Sequence, residues 1–242
     1  MHKKPLSNRQ KAARAASKRK KTVKTVVILA VAAILLGTGT FLLVRNYDAI
    51  RARLENRGRI ELSPLSEEEL LDAGTGTHYL LAPPQYEPAF RGKAAAWCPS
   101  LDGRLYYAIG DEDTALYLAD EDTGTGTRMY HASTVTLPTL FEMNADRIQV
   151  CNSDYAYLVE IANITDSALI AETLDLFANG EQKNHPFEWN FRLDLKFLSD
   201  EWPAIAYNLT YYDTDDGAYL MDRKSLRSVY IGTLLCDAIN YQ

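Results

Sequence analysis

The sequence predicts an α+β, β-rich fold: an N-terminal transmembrane helix, then an extracytoplasmic domain of antiparallel hairpins and meander with one mid-domain helix and a C-terminal helix. Three observations carry this. Residues 25–44 contain no charge, residues 191–198 alternate apolar and charged residues without a break, and residues 165–179 show helical periodicity between a capping pair and a glycine stop.

The first 24 residues are basic. Ten of the 26 Lys and Arg fall there with no Asp or Glu, leaving sixteen against all 32 acidic residues in the rest of the chain. The net charge of −6 therefore conceals a basic tail and a strongly acidic remainder. With 47% hydrophobic and 24% charged residues, the chain is too apolar for a disordered one. The tail has no aromatic residue to stack on a base, so no nucleic-acid partner is expected.

Thr25 to Val44 reads TVVILAVAAILLGTGTFLLV, closed by Lys24 and Arg45. As a helix it spans ~30 Å, the hydrocarbon thickness of a bilayer. The stretch is longer than a signal-peptide core and no Ala-x-Ala-like site follows it, so an uncleaved signal-anchor is expected. Ten basic residues precede it, and five arginines follow within fifteen residues. The expected topology is a single-pass cell-membrane protein with residues 1–24 cytoplasmic and the C-terminal domain outside. The lipid bilayer is its first partner.

Residues 45–77 read as a juxtamembrane helix, with Ile50 and Leu54 four apart and Gly58 as its stop, followed by linker. Within them Ser66-Glu67-Glu68-Glu69 has capping-box spacing and predicts a short helix ending at Gly74. Residues 78–242 form the extracytoplasmic domain. Tyr79–Ala82, 104–110, 115–119, 128–132, 147–150 and 155–161 are short strand-like runs separated by polar turns. Thr165-Asp166 caps a helix with Leu169, Ile170, Leu174 and Phe177 on one face. Strands follow at 191–198, 204–212, 218–222 and 228–232, then a last helix over 233–241. The helices are the expected cover for the apolar face of this sheet.

An alternative is an irregular small β-propeller-like repeat, suggested by Tyr-Leu at 79, 117, 157 and 219. The layout resembles outer domains of membrane-anchored proteins of the bacterial cell envelope, with no motif specific enough to name a family.

No motif names a reaction. The four histidines are scattered, no Cys-x-x-Cys exists, and nucleophile-elbow and phosphate-loop patterns are absent. Cys98, Cys151 and Cys236 read as small apolar side chains. Asp213, Asp215 and Asp216 resemble the start of a calcium loop but lack its terminal glutamate, so solvated turn residues are expected and no metal or cofactor. Tyr106, Tyr107, Trp189, Trp202, Tyr211 and Tyr212 are candidates for an interaction face. The expected function is a non-catalytic binding or interaction module with a protein or envelope-polymer partner. The alternatives are an envelope enzyme using acidic-loop carboxylates and an accessory subunit of a membrane complex.

Overall fold

The computed structural model describes residues 47–109, 115–120, 127–152, 159–186 and 188–239. The basic tail, the 25–44 segment, the acidic runs 111–113 and 121–122 and the Tyr157-Leu158 repeat lie outside them. Among the described residues no helix is long and apolar enough to cross a membrane.

The chain divides into two compact units, Met1–Arg57 and Gly58–Gln242. In the first, α1 spans Tyr47–Glu55. Arg51 and Glu55 pair at 2.8 Å one turn apart, and Ile50 and Leu54 are exposed.

The second unit is β-rich. The strands β1 (Ile60–Pro64), β2 (Glu69–Asp72), β3 (Thr77–Leu81), β5 (Arg91–Cys98), β6 (Arg104–Ile109), β7 (Tyr117–Asp120) and β8 (Met129–Ala132) close into a barrel. Its order is β1-β2-β3-β8-β7-β6-β5. All pairs are antiparallel except the closing one, where Ile60 and Glu61 run parallel to Ala96 and Trp97. Closure removes the free edges that would invite pairing with other chains. Between β3 and β5 the chain leaves the barrel to form β4 (Tyr86–Pro88), which pairs with the second sheet.

That sheet is eight-stranded and open. Its path is β10 (Val159–Ile164), β9 (Arg147–Asn152), β12 (Phe191–Leu198), β13 (Ile205–Thr214), β14 (Gly217–Asp222), β15 (Ser228–Gly232) and β11 (Gln182–Lys183). β4 lies beside the start of β13. The predicted meander β12-β13-β14-β15 is present in sequence order. The helix α2 (Ser167–Asn179) starts at Asp166, whose carboxylate accepts from the Ala168 and Leu169 amides. It buries Ile170 and Phe177 against the sheet. The C-terminal helix α3 is short, Cys236–Ile239, and buries Ile239.

Two apolar clusters result. Inward-facing Leu62, Leu70, Tyr79, Ala96, Cys98, Tyr106, Leu118 and Tyr130 fill the barrel. The larger cluster gathers the apolar face of the sheet, α2, α3 and outward-facing barrel residues such as Ile109, Ala119 and Met129. Alternate residues of β6, β7 and β8 therefore serve two cores, so β7 is buried throughout.

Two expectations need correction, and a third finding goes beyond the alternation of β12. Residues 60–77 are not linker with a short helix, because Ile60–Pro64 and Glu69–Asp72 are the first two barrel strands. Ser66 to Glu68 turn this hairpin, with Leu65 and Ser66 amides both donating to the Glu69 carbonyl and the Glu68 amide to Ser66 Oγ. A one-turn helix has a costly nucleus, whereas here Leu70 enters a core and both strand edges are paired. Secondly, a propeller is not supported. Tyr79 and Tyr117 stand in one barrel and Tyr219 in the open sheet, with no radial blades. Thirdly, the charged face of β12 is not solvated. Leu193, Leu195 and Phe197 face the large core as alternation predicts, but Asp194 and Lys196 on the opposite face are buried as well.

Candidate functional site

Period-2 geometry brings one chemical theme to one end of the barrel. On β6, Arg104 and Tyr106 point inward. Asp120 ends β7 opposite Tyr106. The segment entering β8 supplies Arg128 and Tyr130, and the Asp120 amide donates to the Arg128 carbonyl at 2.8 Å. Two arginines, two tyrosines and one carboxylate thus converge from three adjacent strands. They line or back a cleft of about 470 Å³ whose walls also include Pro64, Leu70 and Leu101. That volume lies in the range of small-ligand pockets.

Asp120 is completely buried, and Arg104 Nε stands 3.3 Å from its Oδ1. A buried carboxylate requires such a cation. Arg128 is held differently. Its one hydrogen bond among the described residues goes to the Glu67 carbonyl at 3.3 Å, and its guanidinium lies 6.0 Å from the Tyr130 ring centre. It has no carboxylate partner there. Glu67 itself is exposed at the rim.

Tyr106 and Tyr130 meet edge to face at 5.8 Å and are 1% and 2% exposed. Burial raises both hydroxyls above the usual tyrosine range. Asp120 pushes Tyr106 further in the same direction, and Arg128 partly offsets the rise at Tyr130. Both remain protonated donors. The Tyr130 hydroxyl reaches the Glu67 carbonyl at 3.5 Å, while that of Tyr106 has no hydrogen-bond partner among the described residues. Tyr106 lines the cleft, so its hydroxyl is available to a group that enters there.

A second polar cluster lies on the buried charged face of the open sheet. Lys196 Nζ pairs with Glu87 Oε2 at 2.9 Å. Arg223 lies across the same face, reaching Glu87 at 3.5 Å, donating to Thr210 Oγ1 at 3.1 Å and bonding Asp194. Asn208, opposite Lys196 in register, is fully buried and its amide has no partner among the described residues. Glu87 and Arg223 also border a cleft of about 220 Å³ shared with Ala82, Arg128 and Met129. Arg128 lines both clefts.

The six aromatic candidates do not share one face. Tyr106 is inside the barrel. Tyr107 faces outward under the Arg91 guanidinium, 4.5 Å from its ring centre. Trp202 packs half-buried on the large core and Tyr211 lies within it. Trp189 and Tyr212 are together, with ring centres 5.2 Å apart and His185 against both. Trp189 is 45% exposed. Asp215 and Asp216 are the central residues of the β13–β14 turn, which Gly217 closes at φ +119°. Asp213 and Asp215 share the Asn190 amide at 3.1 and 3.3 Å. Among the described residues no three His, Cys, Asp or Glu are grouped to hold a metal ion. The three cysteines are free thiols.

Arg104, Arg128 and Asp120 escaped the sequence reading as site residues. The signal was present in the repeated Arg-x-Tyr of Arg104-Leu-Tyr106 and Arg128-Met-Tyr130. In a strand, residues two apart share a face, so each pair places a cation and a phenol side by side. Compared with known protein families, curated proteins and solved structures, the chain matches none of them.

Proposed function

We propose that this chain is a non-catalytic binding protein, anchored by residues 25–44, whose barrel mouth receives a small molecule outside the membrane. The observation that carries the binding reading is a cleft flanked by Arg104 and Arg128 and lined by Tyr106, whose hydroxyl has no hydrogen-bond partner among the described residues. Among the described residues that line the two clefts, Glu67 is the acidic one in the first, with Asp120 held behind it by Arg104, and Glu87 in the second. A second reading, docking of a protein partner, draws support from Trp189 exposed beside Tyr212 and His185.

The anchor and the binding site are tested separately. In a background without native cysteines, a cysteine at Ser17 is expected to resist a membrane-impermeant thiol reagent in whole cells, and one at Thr125 to react. Labelling at Ser17 in intact cells overturns the orientation. For the site, a small-molecule library screened by thermal shift should yield hits that Leu70→Trp, which fills the cleft, abolishes. Hits that survive Leu70→Trp but are lost in Trp189→Ala would favour the aromatic patch instead.

A further inference from the structure

We infer that the molecule received at the barrel mouth carries an oxyanion on an apolar body, bound through Arg128 and the Tyr106 hydroxyl. This rests on the small-molecule reading above and specifies its ligand class. Three features lead to it.

The first is charge. Among the described residues inside the mouth, two guanidiniums face one carboxylate. Asp120 is engaged by Arg104 at 3.3 Å, so the charge of Arg128 is unmatched by any inward-facing acid of the described residues. Glu67 is at the solvent-exposed rim, where water screens it. The mouth therefore accommodates one added negative charge.

The second is donor geometry. Arg128 has five N–H donors and, among the described residues, uses one of them, in a long bond to a carbonyl. The Tyr106 hydroxyl is a protonated donor with no acceptor among the described residues. An oxygen pair such as that of a carboxylate or phosphate accepts from both at once, and guanidinium forks suit it. A neutral hydroxyl or amide ligand would leave the Arg128 charge as unmatched as before.

The third is the wall. Pro64, Leu70, Leu101, Tyr106 and Tyr130 line the cleft around the donors. Apolar walls favour a ligand with carbon beyond its charged group, and they lower the local polarity around the charge–charge contact.

The test uses the full chain and four probes: inorganic phosphate, phenyl phosphate, benzoate and benzyl alcohol. Binding is followed by NMR shifts of the Tyr106 and Tyr130 ring signals, assigned by substitution. Phenyl phosphate or benzoate should saturate these shifts at least about tenfold more tightly than benzyl alcohol, and the better of the two identifies the oxyanion. Inorganic phosphate should bind more weakly than phenyl phosphate. Arg128→Gln should weaken the anionic probes about tenfold, and Tyr106→Phe by a smaller factor, as expected for losing a bond to a charged group. Tyr106→Phe removes a single buried oxygen and keeps the barrel filled, so it reports even if Arg128→Gln is poorly folded. Lys183→Gln, a surface cation on β11, should change nothing.

Benzyl alcohol binding as tightly as the anions would overturn the oxyanion inference and leave the small-molecule site standing. Anion affinity unchanged in both Arg128→Gln and Tyr106→Phe would overturn it too. If none of the four probes moves either tyrosine, the small-molecule reading falls with it.

Discussion

Lys196→Met should destabilise the second unit by about 3 kcal/mol, although the methionine fills nearly the same space. Lys196 and Glu87 side chains are 11% and 8% exposed, with 2.9 Å between Nζ and Oε2. At an effective dielectric near 20, two unit charges at that separation attract by about 6 kcal/mol before desolvation is subtracted. Removing one partner of such a pair leaves a buried charge and typically costs about 3–5 kcal/mol. Glu87 keeps Arg223 at 3.5 Å, which sets the expectation at the lower end. For a unit of this size that corresponds to a fall of about 6–12 °C in Tm. The assay is urea unfolding of residues 58–242, which should fold alone because the compact unit begins at Gly58. The double variant Glu87→Gln/Lys196→Met should cost less than the sum of the singles, since it removes both charges. Asp200→Asn, at a pair that is 42% and 89% exposed, is the control and should cost under about 0.5 kcal/mol. A Lys196→Met stability within about 0.5 kcal/mol of the native protein would refute the burial of this network.

Leu195→Asp should cost at least about 4 kcal/mol in the same assay, because Leu195 is fully buried and faces no cation on the core side; a loss under about 1 kcal/mol would show that the strand faces the other way. Burial pushes the Cys151 thiol from 9.0 up to about 11. The folded state thus holds its proton where the unfolded chain releases it, so this contribution is intact below about pH 9 and is lost as pH rises to about 11. Cys151→Ala should flatten the alkaline fall in the urea midpoint between those values, and an unchanged slope would contradict it. Calcium at millimolar concentration should shift Tm no more than magnesium does, because Asp213 and Asp215 are occupied by Asn190 in a tight turn. A calcium-specific rise of several degrees, lost when Asp213, Asp215 and Asp216 become Asn, would establish a site there.

What could be read locally was read well where one element dictates its own pattern. β12 and β15 have the bounds that alternation assigned, and α2 begins at Asp166 because the capping carboxylate and the first turn are neighbours in sequence. The apolar side of β12 also followed from the sequence, since a period of two fixes which residues share a face. Ser66 to Gly74 misled because a capping box reports only a local preference, and the pairing partners that override it are β1 and β3.

The sequence by itself determined that the chain is β-rich, that a meander and a capped helix occupy its second half, and that Leu193, Leu195 and Phe197 form a core face. Only the tertiary structure decided that seven strands close into a barrel, that β4 leaves it to join the other sheet, and that Asp194 and Lys196 are buried. The reason is that closure and burial are non-local. The parallel seam between Ile60 and Ala96 and the pairing of Glu87 with Lys196 join residues far apart in the chain. Local periodicity carries no information about which distant strand will supply the partner. The same holds for the candidate site. Arg104 and Tyr106 share a face by strand geometry alone, but it took barrel closure to set Asp120, Arg128 and Tyr130 beside them.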